Sequence, residues 1–183
     1  MLLVSKPADF TALNRLVVLG GLPGTGKTTL AREVSRRHGA FYLRIDTIEQ
    51  SIRAWMPGDI GPAGYAVAMA LARENLSHRD RAGGQTVVVD AVNPVVECRE
   101  AWREIAAKTA VPLLEIEVVC SDASEHRRRV ETRRSDIEGL VPPTWDEVVG
   151  RYYVPWGEPH WIIDTAVMSV EEAVQAIGAR MTE

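Results

Sequence analysis

Gly21-Leu22-Pro23-Gly24-Thr25-Gly26-Lys27-Thr28 fills the pattern GxxxxGK[ST], with a β-branched run before it and a helical pattern after it. Glycines at 21, 24 and 26 let the chain turn with successive backbone N–H groups pointing inward, and the positive end of the following helix adds to them. That arrangement is a cradle for a phosphate chain. In it Lys27 reaches the β- and γ-phosphates of a nucleotide, Thr28 offers its hydroxyl to Mg²⁺, and Thr29 touches the α-phosphate. The competing reading, a glycine-rich turn that happens to carry Lys-Thr, leaves the strand before and the helix after it unexplained. A cradle of this kind serves switches, motors and small kinases alike, so the rest of the chain has to decide. No N/TKxD guanine-reading segment occurs, and the length suits a small kinase.

Two carboxylates follow strand-like runs, Asp46 after FYLRI and Asp90 after TVVV, which places both at the sheet edge that carries the cradle. A hydroxyl that accepts a phosphoryl group needs a carboxylate to take its proton, and Mg²⁺ needs an acid or an anchored water shell. Asp46 is assigned the first role and Asp90 the second, with the exchange of the two left open. Against these stand an N-cap role for Asp46 on a helix over 47–53 and a loop-capping role for Asp90. Further on, EHRRRVETRRS from Glu125 to Ser135 sets five arginines close together on an expected helix. Arg129 and Arg133, four apart, share a face suited to a γ-phosphoryl group, and the segment 124–143 reads as a closing lid. Arg127, Arg128 and Arg134 read as solvated charges balanced by Glu125 and Glu131. The stretch between Arg53 and Tyr65, rich in glycine and proline, reads as a substrate-covering loop, with Trp55 either stacking on the acceptor or simply packing. None of the histidines pairs with a nucleophile, and Trp102, Trp145, Trp156 and Trp161 read as core or docking residues.

These groups need a frame. Short strand-forming runs at 16–19, 41–45, 86–89, 113–119 and 161–163 alternate with helical patterns at 27–38, 66–81 and 94–109, the last opening on Pro94. Thr144-x-x-Glu147 and Ser169-x-x-Glu172 fit the capping box and mark two later helix starts. Such alternation gives a three-layer α/β/α fold with a parallel sheet, whose ligands sit beyond the carboxyl ends of the strands. The 183 residues, 46% of them hydrophobic, suit one domain over 1–183. With 21 Lys and Arg against 25 Asp and Glu, the net charge of −4 offers no general polyanion surface. The N-terminal run is too short for a signal or a membrane span, so a soluble cytoplasmic protein is expected. Two cysteines, Cys98 and Cys120, make neither a zinc site nor a disulfide framework.

The glycine-rich loop, the Asp46 segment, Val88-Val89-Asp90 and Arg129-x-x-x-Arg133 together resemble the P-loop kinase-like ATPases that include zeta toxins, chloramphenicol phosphotransferase and the kinase domains of polynucleotide kinases. The tail from Pro143 through Tyr153-Val-Pro-Trp156 to Ile163-Asp164-Thr165 resembles bacterial kinases of the same group. The resemblance implies a P-loop NTPase fold with a five-stranded parallel sheet of order 2-3-1-4-5, ATP with Mg²⁺, an acceptor approaching from the Asp46 side, and an adenine near Asp164 and Thr165. One position departs from it: where the polynucleotide-kinase and zeta-toxin branches carry an arginine three residues after the catalytic Asp, this chain has Glu49. An acid there disfavours a phosphorylated acceptor, makes nucleic acid an unlikely partner and favours a neutral or cationic small molecule. The expected activity is transfer of the γ-phosphate of Mg-ATP to a hydroxyl of a small molecule. A nucleic-acid or nucleotide-sugar kinase and a nonenzymatic ATP-binding switch are the alternatives.

Overall fold

Five strands with every neighbour parallel form the central sheet: β1 (Leu16–Gly20), β2 (Phe41–Arg44), β3 (Val87–Asp90), β4 (Leu113–Val119) and β5 (Trp161–Asp164). Their spatial order is β2-β3-β1-β4-β5. The computed structural model describes residues 14–56, 58–77, 79–80 and 83–183. The reading of the N-terminal run over residues 1–13 and the assignments touching Pro57, His78 and Arg81 lie outside the described residues.

The central strand β1 is buried along its whole length, as a strand covered on both faces must be. Alternate residues divide between two cores. Leu16 and Val18 join Val87, Val89 and Trp102 on one face, under α3 (Ala63–Ser77) and α4 (Val96–Thr109). Val17 and Leu19 join Val88, Ile116 and Val118 on the other, under α1 (Lys27–His38) and α7 (Val170–Met181). Between them in sequence come α2 (Ile45–Trp55), α5 (Ala123–Thr132) and the short α6 (Trp145–Val149). Both expected capping boxes are made, Thr144 with Glu147 and Ser169 with Glu172. Among the described residues no helix is long and apolar enough to cross a membrane.

Several boundaries differ from the sequence reading, each for a local reason. The run at 41–45 gives up Ile45 to α2, so Asp46 lies in the first turn of a helix and not at a strand end. Arg44 holds the N-cap position there, which removes the N-cap role considered for Asp46. The helix expected over 66–81 begins at Ala63 and stops at Ser77, and residues 79–80 pair antiparallel with 83–84. The helix expected from Pro94 starts at Val96, because the Pro94 carbonyl instead accepts the N–H of Val154. α5 ends at Thr132, leaving Arg133 extended at its C-cap, so Arg129 and Arg133 do not share a continuous helix face.

Candidate active site

The register of the sheet fixes what meets at its carboxyl edge. Leu19 and Arg44 both stand opposite Asp90 in the neighbouring strands, so the glycine-rich loop, the start of α2 and the β3 acid leave the sheet side by side. Gly21, Gly24 and Gly26 have φ of +132°, +86° and +96°, backbone that L side chains rarely adopt. Space excludes them as well: a Cβ on Gly21 would run into the Val118 carbonyl, and one on Gly24 would stand 2.5 Å from Val130 Cγ2. Thr25 Oγ1 donates to the Leu22 carbonyl at 2.9 Å, fixing the turn from within.

Lys27 is buried, and its Nζ folds back to donate to the Leu22 carbonyl at 3.2 Å. Burial pushes the ammonium below its ordinary pKa, against the nearby charges of Asp90 and Asp46, which favour its charged form. A buried cation with a single carbonyl acceptor and no ion pair among the described residues is poised for an anion.

The loop opens on a cavity of about 1080 Å³. Nine cationic and four acidic side chains line it, so a chain that is acidic overall concentrates positive charge here. Of the residues singled out from sequence, Pro23, Gly24, Gly26, Lys27, Thr28, Thr29, Asp46, Arg129 and Arg133 line this space. Gly21, Leu22, Thr25, Asp90, Asp164 and Thr165 do not. Asp46 presents a carboxylate that is 44% exposed, whereas Asp90 is buried, accepting from the Tyr42 hydroxyl at 2.9 Å and lying 3.7 Å from Arg44 Nε. Burial, with Asp90 alongside, raises the Tyr42 phenol well above its usual pKa.

The two lid arginines differ in state. Arg129 is committed to structure: Nε donates to Glu125 at 2.7 Å, Nη1 to Thr165 Oγ1 at 2.7 Å and Nη2 to the Thr165 carbonyl at 3.1 Å. Arg133 makes no ion pair among the described residues and lies close enough for its charge to act on Lys27. Arg127 pairs with Glu131 at the surface; Arg128, though paired with Glu125, lines the cavity, as does Arg134, which corrects their reading as merely solvated charges. α5 itself is docked on the phosphate loop, because His126 Nε2 donates to the Pro23 carbonyl at 2.8 Å and Val130 packs against Gly24. Trp55 is 89% exposed, so it does not pack as a core residue, and it does not line this cavity.

Asp164 Oδ1 accepts from the N–H groups of Ser121 and Ala166, the work of a turn cap, while Thr165 Oγ1 donates to the Thr25 carbonyl and braces the loop. Two positioning knots escaped the sequence reading. Buried Asn93, at φ +51°, accepts from Trp102 Nε1 and, through its carbonyl, from Arg99, while its N–H donates to the Tyr65 hydroxyl. The Asn93-Pro94 pair, with two residues between it and the end of β3, was the available signal for a fixed turn. Buried Arg99 also donates to the carbonyls of Val154 and Pro155 beneath the Trp156 ring, and a Cβ on Gly20 would stand 2.5 Å from that ring. Nothing in residue spacing links Arg99 to Trp156.

Among the described residues no three His, Cys, Asp or Glu side chains converge as a metal cage. Thr28 on the cavity wall and Asp90, at the end of the strand beside the loop, are the hydroxyl and the acid that would serve a magnesium ion arriving on nucleotide phosphates with most of its waters.

An AAA domain model matches residues 16–148. No curated protein matches the chain in sequence. Among solved structures, the chain is similar to the APS kinase CysC of Mycobacterium tuberculosis in complex with AMPPNP and APS, at 18% identity and a TM-score of 0.63 over 94% of this chain and 99% of that one. A gluconokinase from Sinorhizobium meliloti 1021 is 18% identical with a TM-score of 0.61 over 93% of each chain. Chaetomium thermophilum Kti12 in complex with ADP-AlF3 is 22% identical with a TM-score of 0.61 over 91% of this chain and 98% of that one. Likeness at this identity carries the fold, the five-stranded parallel sheet of P-loop NTPases in the order found here. With the family model covering most of its length, the chain belongs to the AAA domain family and has the P-loop NTPase fold.

Proposed function

We propose that this protein transfers the γ-phosphoryl group of Mg-ATP to a hydroxyl of a small molecule. The observation that carries the reading is the placement of a carboxylate, Asp46, on the wall of the same cationic cavity that holds the phosphate loop and Lys27. Solved structures of the same fold include a gluconokinase and an APS kinase bound to AMPPNP and APS, which supports a kinase.

In this reading the loop N–H groups and Lys27 grip the phosphates, and Arg133 balances charge on the moving group. Asp46 accepts the proton of the acceptor hydroxyl as its oxygen bonds to the γ-phosphorus and the bond to the β–γ bridging oxygen breaks, releasing ADP. Magnesium, held by Thr28 and, through its water shell, by Asp90, would supply electrostatic stabilisation of the phosphates. Asp90, buried beneath Tyr42 and Arg44, holds charge behind Lys27 and not against the acceptor. Of the lid expected over 124–143, the part after α5 closes over the cavity, with α5 as its anchored base.

The test is incubation of the protein with γ-labelled Mg-ATP and panels of hydroxylated metabolites, oligonucleotides and UDP-sugars. Label on a metabolite in the first panel supports the proposal. Label on an oligonucleotide or a UDP-sugar instead gives the acceptor class to the alternatives, and ATP binding with no transfer in any panel identifies a switch.

A further inference from the structure

One anion site beside the cavity is already filled from within the chain. Asp136, in the irregular segment after α5, reaches back to α1 and to the end of β2, where it accepts from Arg32 Nη2 and from Arg44 Nη1, the latter at 2.9 and 3.0 Å. The two guanidiniums hold its carboxyl well below the usual carboxylate range, Arg44 foremost. The Arg44 side chain is only 4% exposed, and its Nε is buried with no hydrogen-bond acceptor. A guanidinium carries five N–H donors, and leaving one unmet in a buried place costs free energy. That Nε faces Asp90 at 3.7 Å, whereas Asp136, 46% exposed on an irregular segment, is the partner that can leave the buried guanidinium.

On the other side of this bridge lies a second cavity of about 670 Å³, walled on α2 by Thr47, Gln50 and Ser51. It shares Arg32, Arg44 and Asp136 with the larger cavity, and no phosphate-loop residue lines it. An anion reaching the two arginines from this side arrives away from the phosphate loop. Glu49, which spoke against an anionic acceptor in the sequence, is paired with Arg53 at 3.1 Å and lines the larger cavity, while Glu138 is the acid that lines the second one beside Asp136.

We propose that Arg32 and Arg44 form an anion-recognising subsite of the acceptor pocket, that the acceptor is a hydroxy compound bearing a carboxylate or phosphate group, and that Asp136 holds the subsite until such an acceptor displaces it. The proposal rests on the phosphotransferase reading and narrows its substrate class.

The test reads binding. With the phosphate loop filled by Mg²⁺ and an ATP analogue whose γ-phosphate cannot transfer, inorganic sulfate is titrated at constant ionic strength while the ¹⁵Nε–¹H resonance of Arg44 is followed, assigned by its loss in Arg44→Lys. The expected result is a saturable shift, an apparent Kd about tenfold lower in Asp136→Asn because the internal competitor is gone, and about tenfold higher in Arg32→Gln. Arg151→Gln, a cavity cation away from the bridge, leaves the Kd unchanged. Should Asp136→Asn fail to fold, the wild-type shift and Arg32→Gln carry the test alone. An unmoved Arg44 resonance, or the same affinity in Arg32→Gln as in the wild type, overturns the subsite. If the analogue itself does not bind, the nucleotide reading fails instead. Repeating the titration with glycerate and with glycerol 3-phosphate tells a carboxylate-bearing from a phosphate-bearing acceptor, and no response to either refutes the acceptor class.

Discussion

Replacing Arg133 by alanine should lower turnover of Mg-ATP far more than its binding, whereas Arg129→Ala should act first on stability. Arg133 stands at the end of α5 with no ion pair among the described residues and with its charge felt at Lys27, so alanine removes little structure. A cation that acts on charge developing during transfer contributes about tenfold to 1000-fold in rate, roughly 1.4 to 4 kcal/mol. Arg129 instead spends its guanidinium on Glu125 and on both oxygens of Thr165, which in turn braces the Thr25 carbonyl of the loop. Losing those bonds from a partly buried site costs roughly 1–3 kcal/mol, a fall in Tm of a few degrees to about ten. Initial rates of ATP hydrolysis or transfer, calorimetric titration of Mg-ATP and thermal melting separate the two variants. Equal small rate losses with unchanged melting refute the division of roles, as does an Arg133→Ala variant that loses binding in proportion to rate.

Asp46→Asn should leave Mg-ATP affinity nearly intact and lower transfer by about 100-fold to 10,000-fold, while Asp90→Asn should weaken nucleotide binding too, as calorimetry paired with a transfer assay will report. The opposite pattern would exchange the roles of the two acids. Gly24→Ala should cost roughly 1–2 kcal/mol for the left-handed backbone and about 1–3 kcal/mol for the clash with Val130, with Mg-ATP affinity falling at least tenfold. Adding Val130→Ala should restore part of that affinity, which titration of both variants can check. The Asp136 carboxyl, depressed by Arg44 and Arg32, stabilises the fold above its unfolded pKa of about 3.9, and that contribution is lost as pH falls toward its lower folded value. Melting curves below pH ~4 should therefore drop more steeply for the wild type than for Asp136→Asn.

Much of this site could be read from local sequence, because the phosphate loop is local: its three glycines, Lys27 and Thr28 lie within eight consecutive residues between a strand and a helix. The sheet followed from alternation, since each strand buried on both faces must be a continuous apolar run. What stayed hidden depends on residues far apart in sequence. Asp136 meets Arg44 across 92 positions, Arg129 meets Thr165 across 36, and His126 meets Pro23 across 103, pairings that no spacing rule encodes. The start of α2, expected at 47, was misplaced by two residues because Ile45 suits strand and helix alike, and its turn decides whether Asp46 faces the cavity. Arg133 was drawn onto a helix by its arginine neighbours, although the chain leaves α5 just before it.

Single turnover with prebound, γ-labelled Mg-ATP tests the central claim most directly, by following where the label goes when a pool of small hydroxylated compounds is added. The account predicts label on an organic acceptor in the wild type, with transfer reduced about 100-fold or more in Asp46→Asn while the nucleotide stays bound. Label released only as inorganic phosphate, or transfer that Asp46→Asn leaves unchanged, would contradict it.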